Sequence, residues 1–171
     1  MLNFLPALPE LAPKFYEYRQ DPVTQQFNPI RPSSLEAVRA RLEKASSDWA
    51  EFHRAESYFW FVEEAGAVVG NVTIQSINHM MLTAEVGYGV FAQARGRGLG
   101  SAMVAKLCAE VFAHTNFRKL IAYVHEENRA SRRVLEKSGF VQEGLLREHY
   151  LINGQPVNEV LYGLLRQEWK P

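Results

Sequence analysis

Apolar and polar positions change period several times along this chain, and each change predicts an element. Residues 2–8 read as a short first strand. Leu11, Phe15 and Tyr18 recur at helical spacing and stop at Asp21-Pro22, and residues 28–32 are turn-rich. Ser33 and Glu36 fit a capping box, in which a hydroxyl and a carboxylate three residues on each satisfy a free backbone N–H. Leu35, Val38, Leu42, Ala45 and Trp49 then mark one helical face.

The texture changes at Tyr58. Residues 58–63 are aromatic and β-branched, Glu64-Ala65-Gly66 is a hairpin turn, and residues 67–77 continue as a second strand. Residues 84–91 predict a third. Residues 99–114 are densely apolar, and their length favours a buried helix. Residues 119–124 form a short buried strand, and 128–138 a helix capped by Asn128 and stopped by Gly139. Two final strands, 140–150 and 157–165, flank Asn153-Gly154, a dipeptide suited to a tight hairpin with φ > 0. Strand–helix–strand units beside hairpins imply a mixed α/β sheet covered by helices.

With 171 residues the chain is expected to be one domain over 1–171, an N-terminal strand and helices in 1–57 leading into a core in 58–171. Hydrophobic residues at 47 % and charged residues at 22 % exclude a disordered chain. Nineteen basic and nineteen acidic residues cancel, so no overall charge draws the chain to nucleic acid or to a membrane. The aromatics Tyr58-Phe59-Trp60-Phe61 have no interleaved basic residues and read as strand core, so no nucleic-acid binding is expected. Cys108, the one cysteine, reads as a small buried side chain. No signal peptide or 18-residue apolar run is visible, which gives a cytoplasmic expectation. Five dispersed histidines and no cysteine cluster give no metal site.

Residues 93–102 are the most informative. Arg95-Gly96-Arg97-Gly98-Leu99-Gly100-Ser101 joins a predicted strand to a predicted helix. A helix N-terminus exposes unpaired N–H groups and a positive dipole end, and glycines let a phosphate approach it. The segment lacks the lysine of a P-loop. A dinucleotide fingerprint begun at Gly96 or Gly98 meets Ser101 or Met103 where its third glycine belongs.

Arg95-x-x-Gly98-x-Gly100 resembles the acetyl-CoA signature of the Gcn5-related N-acetyltransferases (GNAT). Asn128-Arg129-Ala130-Ser131 with Leu135-Glu136-Lys137-Ser138-Gly139-Phe140 is similar to the corresponding segment of the ribosomal-protein-alanine N-acetyltransferase (RimJ/RimL-like) branch, as is the terminal stretch Leu161 to Trp169. The resemblance implies a GNAT-like fold: a mostly antiparallel mixed sheet, a splayed parallel strand pair and helices on both faces. It implies acetyl-CoA as co-substrate and direct acetyl transfer to a primary amine, either a protein N-terminus or a small amine. It also implies a monomer or homodimer.

By the same resemblance, backbone groups near Val90 and Phe91 bind the pantetheine arm. The N–H groups of Gly96, Arg97, Gly98, Leu99, Gly100 and Ser101, with Arg95, take the pyrophosphate. Asn128 hydrogen-bonds the arm, caps its helix, or does both. Many family members carry a tyrosine acid seven residues after this asparagine, where this chain has Leu135. Ser131 then becomes the donor to the departing thiolate, against a plain first-turn hydroxyl. Glu85 is the first candidate for the base; Glu148 and Tyr150 in the penultimate strand and His125 are rivals. The Leu135 departure also leaves a non-catalytic acyl-CoA-binding or sensor domain as the alternative.

Charge is unevenly spread. Residues 93–137 hold nine basic and four acidic side chains, and the remainder ten and fifteen. The positive region coincides with both cofactor motifs, and the negative remainder gives the expectation of a cationic amine as acceptor.

Overall fold

The strand β2 (Tyr58–Glu64) is buried along most of its length, and its period of two sends side chains into two separate cores. Tyr58, Trp60 and Val62 enter one; Phe59 and Phe61 enter the other. A strand wetted on neither face sits inside a sheet with helices on both sides, and the computed structural model, which describes residues 1–29 and 34–170, has that architecture.

Seven strands run in the order β1-β2-β3-β4-β5-β7-β6. β1 (Leu2–Pro6), β2, β3 (Ala67–Asn78) and β4 (Thr83–Val90) are antiparallel neighbours. Helix α4 (Leu99–His114) crosses over to β5 (Lys119–His125), which lies parallel to β4. α5 (Arg129–Lys137) leads into the hairpin of β6 (Val141–Ile152) and β7 (Gln155–Leu165), with β7 antiparallel to β5. The Asn153-Gly154 turn has φ +50° and +78°, as its sequence predicted.

The first core packs α4 and α5 on one face. Met103, Val104, Leu107, Cys108, Val111 and Leu135 are fully buried there. Burial pushes the Cys108 thiol up to about 12, so it is inert packing. The second core packs α1 (Ala12–Gln20) and α3 (Leu35–Lys44) on the other face through Ala12, Phe15, Val38 and Leu42. Each such large side chain contributes roughly 1.5–3 kcal/mol relative to an exposed one.

One local reading is extended and two are corrected. Asp21-Pro22 ends α1 as expected but also starts a second helix, α2 (Pro22–Phe27), that the pattern did not announce, because proline costs nothing at the first helical position and the Asp21 carboxylate accepts the Thr24 N–H at 2.9 Å. Ser33 lies outside the described residues, and the cap of α3 is Ser34, whose Oγ accepts the Ala37 N–H at 3.1 Å. Trp49 is not on the α3 face. The helix stops at Lys44, and Trp49 belongs to a single 3-10 turn, stacked on Tyr58 and His114.

The parallel strand pair is paired along less than half its length. β4 and β5 pair only at Thr83↔Lys119, Ala84↔Leu120 and Glu85↔Ile121. Beyond Glu85, β4 stays on β3 as far as Val90, and β5 stays on β7 as far as His125. The sheet therefore opens between its two parallel strands and nowhere else along them.

Candidate active site

The opening is the mouth of a cavity of about 640 Å³ lined by both diverging strands, the loop before α4, the start of α5 and the N-terminal helices. Phe91 donates its N–H to the Val69 carbonyl at 2.9 Å, so odd-numbered positions of β4 bond to β3. Val86, Tyr88 and Val90 consequently turn their main-chain groups toward the gap. This shifts the expected backbone site: the Phe91 N–H is spent in the sheet, its side chain is core, and the Val90 carbonyl accepts from Arg95 Nε at 3.2 Å. The buried polar side chains among the described residues are Arg19, Thr24, Asn71 and Thr73, and all four line this cavity.

α4 starts without a side-chain cap. Asp21, Ser34 and Asn128 cap α2, α3 and α5, whereas the N-cap of α4 is Gly98. Gly96 and Gly98 have φ +76° and +77°, a region that a side chain makes costly, and a Cβ on either would point into open space. The first N–H groups of a 16-residue helix, at its positive dipole end, are thus left facing the cavity mouth, where Gly96, Gly98, Leu99 and Gly100 form the wall. Gly100 has a second reason to be small: a Cβ there would come within 3.0 Å of Val134 on α5.

The two loop arginines are committed elsewhere. Arg95 Nη2 pairs with Asp21 at 2.7 Å and donates to Thr24 Oγ1 at 3.3 Å, which holds the Asp21 carboxyl below the usual carboxylate range. Arg95 therefore fastens α2 to the end of β4. Arg97 pairs with Glu64 on the surface, and Ser101 lies outside the cavity wall.

On the α5 side, the Asn128 side-chain oxygen accepts the Ser131 N–H at 3.1 Å while the residue also lines the cavity. The Ser131 hydroxyl lies 2.7 Å from the Tyr88 hydroxyl, which also donates to the Ser131 carbonyl at 3.1 Å. Burial pushes Tyr88 up to about 12, so it stays a neutral hydroxyl. Three residues earlier on the same strand, Glu85 points to the opposite face, where its carboxylate accepts from Gln75 Nε2 at 2.8 Å and Ser76 Oγ at 2.9 Å. Two kinds of chemistry thus face the gap from opposite sides of the sheet: a carboxylate under the N-terminal helices and paired hydroxyls under α5.

The acetyltransferase (GNAT) domain family matches residues 2–141. The chain belongs to this family of N-acetyltransferases. An uncharacterized N-acetyltransferase, p20, of Bacillus licheniformis is 26 % identical over 153 residues, 90 % of this chain and 86 % of that protein. The [ribosomal protein uS5]-alanine N-acetyltransferase of Escherichia coli is 24 % identical over 125 residues, 71 % of this chain and 64 % of that protein. Among solved structures, spermidine N-acetyltransferase from Vibrio cholerae, in complex with CoA and spermine, superposes with a TM-score of 0.86 over 98 % of this chain and 96 % of that one, at 20 % identity. That likeness speaks for the fold.

Within this GNAT chain, the structure brings Ser131, Asn128, Glu85, Val90, Arg95, Gly96, Gly98, Leu99 and Gly100 to one cavity. It does not bring Glu148 there. Glu148 sits at a bulge of β6, exposed, with φ +50° and its N–H donated to Asn158 Oδ1 at 2.9 Å. Tyr150 reaches the wall from that strand, and Glu159 reaches it from β7, held at 2.7 Å from His149 Nδ1. His125 lines the gap, but its Nδ1 accepts the Glu127 N–H at 3.1 Å, which leaves only Nε2 for anything else. Leu135, where many relatives place a tyrosine, is fully buried. Sequence reasoning missed Tyr88, Tyr18 and Asn71. An aromatic between two glycines, Gly87-Tyr88-Gly89, just before the glycine loop was the available signal for the first. Gly89 is small because Tyr18 Oη and Asn71 Oδ1 occupy the space of its Cβ. That packing joins segments 18 and 71 residues into the chain to the site, and no local pattern announces it.

Proposed function

We propose that this GNAT chain is an acetyl-CoA-dependent enzyme that moves the acetyl group directly to a primary amine, on a small molecule or a protein N-terminus. The observation that carries the reading is the opening of the sheet between β4 and β5 onto a cavity that also receives the uncapped end of α4. The residues present fit the co-substrate. The N–H groups at the start of α4 suit its pyrophosphate. The main-chain groups of Tyr88 and the N–H of Val90, which face the gap beyond the last β4–β5 pair, suit the amide-bearing pantetheine arm, and Asn128 offers its side-chain amide to the same arm. Acetyl-CoA supplies a thioester carbonyl at the gap.

The transfer then needs a base for the amine and a donor for the departing sulfur. The amine, arriving from the α1–α3 face, loses a proton toward Glu85, directly or through one water. Its nitrogen attacks the carbonyl carbon, a C–N bond forms, and the C–S bond breaks with the electron pair going to sulfur. The Ser131 hydroxyl, which donates to Tyr88 Oη while the one Tyr88 proton lies on the Ser131 carbonyl, turns its proton to that sulfur, and Tyr88 keeps the Ser131 side chain in place. A serine hydroxyl is a weak acid, so stabilising the thiolate by a hydrogen bond is the role its chemistry allows.

The test is thiol release from acetyl-CoA over a panel of amino acids, peptides and polyamines, beside calorimetric titration with acetyl-CoA. Release that depends on an amine supports the reading. Tight acetyl-CoA binding without release on any amine refutes it in favour of an acyl-CoA-binding module on the same fold.

A further inference from the structure

Beneath the N-terminal helices the cavity wall carries two guanidiniums. Arg19 of α1 is 6 % exposed, and its Nη2 donates to the Asn28 carbonyl at 3.0 Å and to Asn28 Oδ1 at 3.3 Å. Arg41 of α3 reaches the rim of the same cavity, its guanidinium 5.7 Å from the centre of the Phe15 ring. A ring face attracts a cation but leaves its charge in place. Glu85 accepts from the neutral Gln75 and Ser76 side chains and Glu159 lies beside His149, so both keep their own place and charge on the wall, while Arg41 has no ion pair among the described residues. Asp21 is held by Arg95. Burial lowers the pKa of both Arg19 and Arg41, and the charge of Arg41 lowers that of Arg19 further, so the two cations sense each other.

A second observation comes from the floor. Asn71 is 5 % exposed, and its Oδ1 has no hydrogen-bond donor among the described residues. A buried acceptor left without a donor is costly, and Asn71 is one of the residues lining a cavity that a ligand can enter, its Oδ1 packed beside Tyr18 Oη at Gly89. The pocket thus offers a site for an anion at its rim and a site for an N–H at its floor.

We propose that the acceptor of this acetyltransferase is an amine that also carries a carboxylate. Arg41, with the charge of Arg19 behind it, binds the carboxylate. Asn71 Oδ1 accepts an N–H of the acceptor, and the amine nitrogen lies on the Glu85 side of the gap. A guanidinium holds a carboxylate by parallel N–H bonds, which fixes the orientation of the molecule as well as its affinity. A polyamine, cationic along its whole length, meets repulsion at the same rim. This rests on the acetyl-transfer reading above.

Matched acceptors test it: an amino acid against its carboxamide, Ala-Glu-amide against Ala-Gln-amide, and spermidine, each at saturating acetyl-CoA. The first pair reads a free amino acid and the second an acidic peptide, so the arms separate the two sources of the carboxylate. The expected result is a preference of about 10- to 100-fold in kcat/KM for the carboxylate-bearing member of one pair, the range set by a charged hydrogen bond. Arg41→Gln abolishes that preference through KM of the acceptor, with KM of acetyl-CoA unmoved, and Arg41→Lys restores part of it. Equal or better turnover of the carboxamides or of spermidine overturns the inference and leaves acetyl transfer standing. So does an Arg41→Gln variant with undiminished preference. Acetyl-CoA binding without thiol release on any acceptor overturns the transfer reading, and this inference with it.

Discussion

Removing the Tyr88 hydroxyl isolates the step at which sulfur leaves. In Tyr88→Phe the ring keeps its place on β4 opposite Val72, and only the two bonds to Ser131, at 2.7 and 3.1 Å, disappear. A neutral hydrogen bond contributes about 0.5–1.5 kcal/mol net, and water in the cavity replaces part of it, so the fold should lose about 1 kcal/mol. Catalysis should lose more than that through Ser131. A hydrogen bond to a charged group is worth about 1.5–3 kcal/mol, or roughly 10- to 100-fold in rate when it forms only as charge develops on sulfur. Ser131→Ala should therefore lower turnover by that factor. Tyr88→Phe, which frees the Ser131 hydroxyl to rotate without removing it, should lower it by roughly 3- to 10-fold.

The two substitutions belong to one chain of hydroxyls, so their effects should not add. In a Ser131→Ala background, Tyr88→Phe should leave the residual turnover unchanged. The assay is thiol release at saturating acetyl-CoA and amine, with KM for acetyl-CoA measured in each variant. The pH dependence supplies an internal check. Tyr88 sits near 12, so it donates throughout pH 6–10, and no limb of the rate profile in that range should vanish with Tyr88→Phe. Additive losses in the double variant, or unchanged turnover in Ser131→Ala, would refute the assignment.

Other outcomes follow from the same geometry. Glu85→Gln should cost about 100-fold in kcat/KM, whereas Glu148→Gln, outside the cavity, should match the parent. Tyr58→Phe should stabilise the fold by about 1 kcal/mol in urea denaturation, because the buried Tyr58 hydroxyl has no hydrogen-bond partner among the described residues and its ring stacking on Trp49 and Trp60 survives. Burial also pushes Tyr58 up to about 12, so its proton is held more tightly when folded than when unfolded, and stability should fall as pH rises from 10 toward 12; the phenylalanine variant should show a shallower fall. Arg166→Ala should destabilise by about 2–3 kcal/mol, since that guanidinium donates at 2.7 Å to the carbonyls of Phe112, Thr115 and Phe117 and closes the C-terminal end of α4.

The cofactor side was legible because its determinants are local. Gly96 and Gly98 need positive φ within one turn, and Asn128 caps the helix it precedes, so residue type and spacing carry the geometry directly. Strand parity was legible for the same reason, as the alternation of β2 shows. The readings that moved were those depending on a partner far along the chain. Arg95 reads locally as a charge for phosphate, but its partner is Asp21, 74 residues earlier, and that pairing turns a phosphate-site arginine into a tether for α2.

A segment-wise charge count is a coarse guide to the acceptor for a related reason. The acidic surplus outside residues 93–137 gave the expectation of a cationic acceptor, yet a count over a segment weighs a solvated surface glutamate as heavily as a buried guanidinium. Interactions between exposed charges fade over about 10 Å of salt solution, while those in a walled cavity are screened far less. Glu10, Glu36 and Glu43 belong to that surplus and take no part in the cavity wall, Glu85 and Glu159 from the same surplus do line it, and so do Arg19 of α1 and Arg41 of α3. The helix period places them there: Arg19 lies four residues after Phe15, and Arg41 three after Val38, so each shares a face with a residue of the second core and is carried inward with it. Which side chains line the cavity is set by what the second core draws toward the sheet, so on the proposed reading the packing of α1 and α3 bears on acceptor choice more directly than the sign of the surrounding sequence does.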